Sequence, residues 1–135
     1  MVTASFSAIL ANLDDIRNFI EQAAKELQVP EKVVYDVIWA VDEVATNIMV
    51  HGYAGQDGII EVEADRQDNA LLVRLRDQAP QFDPTTVPAP DLSLGFEDRP
   101  PGGLGIYIVR KLMDQVIYRI PDQGGNELTL VKQLS

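Results

Sequence analysis

From Leu13 onward apolar residues recur at intervals of three and four, at Leu13, Ile16, Phe19, Ile20, Ala23, Ala24 and Leu27. That is the period of an amphipathic helix with one buried face. Pro30, which cannot continue a helix, marks its stop. A second helix is predicted from Glu31, with Pro30 suited to its start and Glu31 to the positive end of its dipole. Its buried stripe is expected to be Val34, Val37, Ile38, Val41, Val44, Ala45 and Ile48, and Gly52 is expected to end it.

Beyond the turn segment AGQDG the period changes to two. Ile60, Val62 and Ala64 alternate with polar residues, as do Leu71, Val73 and Leu75, which predicts two strands joined as a hairpin across Gln67, Asp68 and Asn69. Periodicity then lapses between Pro80 and Pro101, a span holding six of the chain's eight prolines. Irregular segments of this length inside a compact domain are functional lids or disordered. Pro100, Pro101, Gly102, Gly103, Leu104 and Gly105 lead into a third helix with Ile106, Val109, Leu112 and Met113 on its buried face. Val116 to Ile120 and Leu128 to Leu134 read as two closing strands around a turn from Pro121 to Gly125. Helix pair, hairpin, loop, helix and hairpin together predict an α/β (α+β) two-layer sandwich, a mixed or antiparallel sheet with helices on one face.

Composition narrows the chemistry. A chain of 135 residues with 46% hydrophobic content can bury one core without staples, so residues 1–135 are expected to be a single domain. There is no cysteine and one histidine, His51, which leaves no thiol nucleophile and too few soft ligands for a structural zinc site. His51 itself reads as a residue near a helix C-terminus. The N-terminal MVTASFSAIL lacks the basic start and long apolar stretch of a signal peptide, and the apolar runs are short; a cytoplasmic protein without a membrane partner is expected. A formal charge of −10 opposes direct binding to nucleic acid. A nucleotide stays possible, because backbone N–H groups, a helix N-terminus and a metal ion can hold a small anion locally.

Three features could carry chemistry. Glu43 and Asn47 stand four apart and share a helix face away from the apolar stripe. A carboxylate can serve as a general base and an amide oxygen as a hard ligand for magnesium; alone, the pair reads first as a solvated face. Asp77 ends a strand where the chain leaves the sheet, so it could accept a hydrogen bond from an amino group or simply form a turn before Pro80. Gly102, Gly103 and Gly105 cluster where a loop becomes a helix, a geometry equally suited to a hinge and to exposing N–H groups to phosphate. The order is neither a P-loop nor a dinucleotide fingerprint, since Ile108 stands where a third glycine belongs.

Taken together and in this order, the segments resemble the Bergerat-fold ATPases, the superfamily shared by type II topoisomerases, histidine kinases and mismatch-repair ATPases. AVDEVATNIMVHGY resembles the asparagine box of the anti-sigma-factor serine kinase branch, RDQAPQFDP its first glycine box, PPGGLGIYIVRKLMD its second, and NELTLVKQ its closing strand. The resemblance implies ATP and Mg2+ as cofactors. It implies that Glu43 polarises the attacking hydroxyl, Asn47 binds magnesium and Asp77 takes the adenine amino group. Ala79 and Phe82 would lie along the nucleotide, Gly102, Gly103, Leu104 and Gly105 would line its phosphates, and residues 84–101 would form the lid. Thr129 is implied to touch the water network beside adenine, while Arg99 reads as a lid arginine within reach of the γ-phosphate or solvated. Ala79 and Gln81 depart from the pattern, which commonly has glycine at both places.

As a function the resemblance implies a serine/threonine-protein kinase that phosphorylates an antagonist (anti-anti-sigma) protein and competes for a sigma factor, acting as a homodimer. A nucleotide-binding partner switch without phosphotransfer and a simple ATP hydrolase are the alternatives. Retention of both Glu43 and Asn47 speaks for chemistry over binding alone.

Overall fold

A computed structural model describes residues 1–88, 93 and 104–135. In chain order the elements are β1 (Val2–Ser7), α1 (Leu13–Glu26), α2 (Glu31–Asn47), β2 (Ile59–Gln67), β3 (Ala70–Asp77), α3 (Leu104–Leu112), β4 (Gln115–Arg119) and β5 (Asn126–Gln133). The five strands form one sheet in the order β1-β2-β3-β5-β4, and every described pairing is antiparallel. The expected two-layer α+β arrangement is therefore present, with the sheet antiparallel rather than mixed. β1 was not predicted; it pairs along β2 from Val2 opposite Ala64 to Ser7 opposite Ile59.

Register sorts the side chains. Directly opposed residues share a face, so Phe6, Ile60, Val62, Leu71, Val73, Leu75, Leu128 and Leu130 point to one side. There they join Ile16 and Ile20 of α1, Val37, Val41 and Val44 of α2, and Ile106 and Val109 of α3 in a continuous apolar core. α2 packs against both α1 and α3. Its buried residues are Val33, Val37, Ala40, Val41, Val44 and Ala45, so the stripe is turned from the expected one: Val34, Ile38 and Ile48 are only half-buried. Two long cations at the border of this face close helix ends. Arg66 donates to the carbonyls of Leu27 and Gln28 after α1, at 3.1 and 2.7 Å, and Lys132 to that of Leu112 at 2.6 Å, satisfying acceptors that a helix terminus leaves open.

The opposite sheet face carries an ion ladder. Arg76 bonds Glu127 and Glu61 at 2.7 and 2.8 Å, Arg74 pairs with Glu63, and Arg119 reaches Glu127 at 3.1 Å. Hydrogen bonds from Arg119 and, against the opposing effect of burial, from Arg76 hold the Glu127 carboxyl below its ordinary value.

The core argument is testable at Leu75, which is fully buried at the centre of β3. Leu75→Ala is expected to lower stability by about 2–5 kcal/mol, read as an earlier urea midpoint at unchanged slope. A loss below about 1 kcal/mol would contradict close packing of helices on this face.

Candidate functional site

On α2 the buried residues leave Glu43 and Asn47 half-buried on the flank toward α3. Gly105, the second residue of α3, lies directly against them: a Cβ placed on it would stand 3.1 Å from Glu43 Oε2 and 3.3 Å from Asn47 Nδ2. The first turn of α3 thus comes closer to the carboxylate and the amide than a side chain would comfortably allow. Leu104 and Gly105 begin this helix, and N–H groups at that position have no acceptor within it. Gly102, Gly103 and Arg99 lie outside the described residues.

α2 was expected to run to Gly52. It instead ends at Asn47, and a wide turn over Ile48–Gly52 follows, closed by the Tyr53 N–H donating to the Ile48 carbonyl at 2.8 Å. His51 is exposed on this turn. Gly52 faces Ala79, whose methyl would be 3.2 Å from a Cβ on Gly52. Ala79 is buried and is not among the residues with positive φ. Its methyl therefore occupies space that Gly52 leaves free, and the departure from glycine at this position imposes no left-handed backbone. Tyr53 ties the same region together: its hydroxyl accepts from the Gln78 N–H and donates to the Ile59 carbonyl, both at 2.7 Å.

Asp77 is the last residue of β3 and shares the parity of Leu71, Val73 and Leu75, so it points toward the helices and is 6% exposed. Burial raises its pKa above the ordinary carboxylate value, against the lowering effect of hydrogen bonds from Asn126 and the Ala79 N–H. Both donors meet the same oxygen: Asn126 Nδ2 lies 2.8 Å and the Ala79 nitrogen 2.9 Å from Oδ1. Asn126 also donates to the carbonyls of Ala79 and Pro80 at 3.3 and 3.2 Å, and its own Oδ1 accepts from the Phe82 N–H at 3.0 Å and the Tyr118 hydroxyl at 2.6 Å. Gly125 precedes it with a φ of 77°, and a Cβ there would overlap the Asp77 carbonyl oxygen; this turn needs glycine twice over.

The backbone of Phe82 is held, while its ring is 61% exposed. Next, Asp83 caps a short turn at Pro84–Thr86 by accepting from the Thr85 N–H at 2.8 Å, and Arg110 of α3 donates to the Thr85 carbonyl. The start of the proline-rich segment is thereby fastened to the helix that begins at Leu104.

The structure thus brings Glu43, Asn47, Leu104 and Gly105 together, and joins them through Gly52 and Ala79 to Asp77. Thr129 does not join them. It stands opposite Arg74 and Ile117, on the sheet face of the ion ladder, one step out of parity with Asp77. A groove of about 380 Å³ lined by Arg17, Tyr35, Ile38, Trp39 and Asp42 lies on the surface of α1 and α2 and contains none of these residues. None of Asn126, Tyr118, Tyr53, Gly52 and Gly125 was anticipated as a site residue. For Asn126 the signal was available: it has the inward parity of Leu128 and Leu130, and a polar side chain on a buried parity needs partners.

Residues 6–132 match the family profile described as histidine kinase-like ATPase domain. Among curated relatives, the serine/threonine-protein kinase BtrW of Bordetella bronchiseptica is 25% identical over 129 residues, covering 95% of this chain and 90% of the relative. The anti-sigma F factor of Clostridium acetobutylicum is 23% identical over 96% of this chain and 91% of its own length. The serine-protein kinase RsbW of Bacillus cereus is 31% identical over 87 residues, 62% of this chain and 54% of the relative. A crystal structure of the RsbU and RsbW domains of a Mycobacterium tuberculosis protein superposes with a TM-score of 0.66 at 18% identity, covering 99% of this chain and 33% of that one, which bears on the fold. With its fold, its helix-borne Glu43 and Asn47 and a profile match over nearly its whole length, the chain belongs to the histidine kinase-like ATPase domain family.

Proposed function

We propose that this protein is an ATP-dependent serine/threonine-protein kinase of the anti-sigma, partner-switching kind, whose substrate is a hydroxyl on an antagonist protein. One observation supports this above the others: Glu43 and Asn47 face the open first turn of α3 and are joined by the end of α2 to Asp77. A carboxylate, an amide, helix-start N–H groups and a buried acceptor are groups that can bind a nucleotide and serve in-line phosphoryl transfer from it.

In this reading Asp77 accepts from the exocyclic amine of adenine, and Ala79 and the Phe82 backbone border the base. The N–H groups of Leu104 and Gly105, with Gly102 and Gly103 before them, hold the phosphates. Glu43 accepts the proton of the attacking hydroxyl and orients it. Magnesium is ordinarily held by one or two protein oxygens together with water and phosphate. Asn47 offers one hard oxygen on the flank that faces α3, which fits that pattern. Bound there, the ion would neutralise phosphate charge.

The names of the relatives, an anti-sigma F factor and serine-protein kinases, support a sigma factor as partner and a protein as phosphoacceptor; in this reading the acceptor is an anti-anti-sigma protein that competes with the sigma factor. Residues 1–135 would serve as one ATPase domain, acting as a homodimer in the cytoplasm. None of the described helices is long and apolar enough to cross a membrane.

Glu43→Ala is expected to bind Mg-ATP nearly as well as the wild type by calorimetry, and to transfer phosphate to a cognate antagonist about 10²–10⁴-fold more slowly. Undiminished transfer would contradict the role of Glu43. Gly105→Ala is expected to weaken nucleotide binding, because the added methyl forces Glu43 and Asn47 aside by a few tenths of an ångström; unchanged affinity would place the phosphates elsewhere.

Asp77 gives a pH signature. Its folded pKa is raised above the unfolded value, so the folded chain binds the proton more tightly. The stability tied to that proton is present below the unfolded pKa and is lost as pH rises through the folded one. Asp77→Asn escapes this cost. It is expected to match or exceed the wild-type Tm at pH 7, with the advantage shrinking as pH falls through the carboxylate range, while ATP affinity drops about tenfold or more. A lower Tm at pH 7 together with intact ATP binding would contradict the assignment.

A further inference from the structure

The Asp77 carboxylate is asymmetric. Oδ1 takes two hydrogen bonds, from Asn126 and from the Ala79 N–H, whereas Oδ2 receives none from the described residues. Asp77 as a residue is 6% exposed. Among the described residues, one oxygen is used for orientation and the other is left without a donor.

Asn126 creates this division. Its side chain is nearly buried, and its amide is saturated on both ends: the nitrogen serves three acceptors and the oxygen two donors. A carboxylate at this position would turn acceptors toward Asp77 and the carbonyls of Ala79 and Pro80, and an apolar residue would remove the donor that these three groups share, leaving Asp77 Oδ1 with the Ala79 N–H alone. Tyr118 fixes which way the amide faces, since its hydroxyl donates to Asn126 Oδ1. Burial, and the charges of Asp83 and Asp77, keep the Tyr118 phenol protonated to higher pH than usual. Asp77, Asn126 and Tyr118 all stand on the helix face of the sheet, with Asp77 opposite Asn126 and Tyr118 opposite Leu128.

We propose that Asn126, oriented by Tyr118, is a positioning residue that determines base selection: it locks the Asp77 carboxylate so that only an unpaired acceptor faces the ligand. A purine carrying an amine at its six-position satisfies Oδ2; a purine carrying an oxo group there opposes acceptor to acceptor. The inference rests on the reading of Asp77 as the base-binding residue and extends it to the side chains that aim it. Asn126 acts through Asp77 without touching the nucleotide.

The test is the ratio of ATP to GTP affinity, measured by calorimetry with magnesium on the full chain, with circular dichroism to establish folding. Asn126→Ala is expected to weaken ATP by about ten- to a hundredfold, the loss of hydrogen bonds to a charged group, and to leave GTP little changed, so that selectivity collapses by the same factor. Tyr118→Phe, which removes one hydroxyl and keeps the Asn126 contacts to Asp77, is expected to lower the ratio by about threefold. A folded Asn126→Ala variant that keeps the wild-type ratio would overturn the proposal, even if it is less stable. Should that variant not fold, the ratio in Tyr118→Phe decides in the same way. Asp77→Asn separates the two layers. If it abolishes selectivity while the Asn126 and Tyr118 variants retain it, the positioning role fails and the base-binding reading stands; if Asp77→Asn itself keeps the ratio, the reading beneath fails as well.

Discussion

The first turn of α3 lies close against the flank of α2 at Gly105, where a Cβ would stand 3.1 Å from Glu43 Oε2 and 3.3 Å from Asn47 Nδ2. A side chain there would force the ends of Glu43 and Asn47 aside by a few tenths of an ångström. With glycine in place, a carboxylate and an amide one helical turn apart meet the first turn of a second helix, an end at which anions are favoured. The core enforces the approach from behind, since Val41, Val44 and Ala45 on α2 and Ile106 and Val109 on α3 are buried in the same cluster.

The second half of the site is an ordered turn around a costly charge. A buried carboxylate is tolerated when hydrogen bonds replace its hydration, and Asp77 has two donors on one oxygen and none from the described residues on the other. The turn from Asp77 to Phe82 contains no left-handed residue and is shaped instead by one internal amide, Asn126. A defined path here comes from side-chain hydrogen bonds, and Gly52 makes room for the Ala79 methyl.

Much of this was legible from periodicity. Helices with broad apolar stripes and strands such as Leu71, Val73 and Leu75 announce themselves, and Glu43 and Asn47 could be placed on one face by counting. β1 could not be seen so easily: of its six residues only Val2 and Phe6 are large and apolar, because an edge strand leaves Thr3, Ser5 and Ser7 exposed. The stripe on α2 was turned because burial comes from two neighbouring helices as well as the sheet, so small Ala40 is buried while Ile38 is not. Thr129 was drawn toward the site by its segment, yet strand parity places it across the sheet. Asn126 went unnoticed because asparagine after two glycines reads as turn chemistry, and its five partners lie 8 or 44–49 residues away in the sequence and meet it only in the folded chain.

The claim beneath all of this is that two helices and the end of β3 surround one nucleotide. Amide chemical shifts of the full chain, recorded as a non-hydrolysable ATP analogue with magnesium is titrated in, test it directly. The account predicts concerted, saturable shifts at Asn47, Ala79, Leu104 and Gly105. Shifts confined to the groove around Tyr35 and Trp39, or movement at Gly105 without Ala79, would contradict a single shared site.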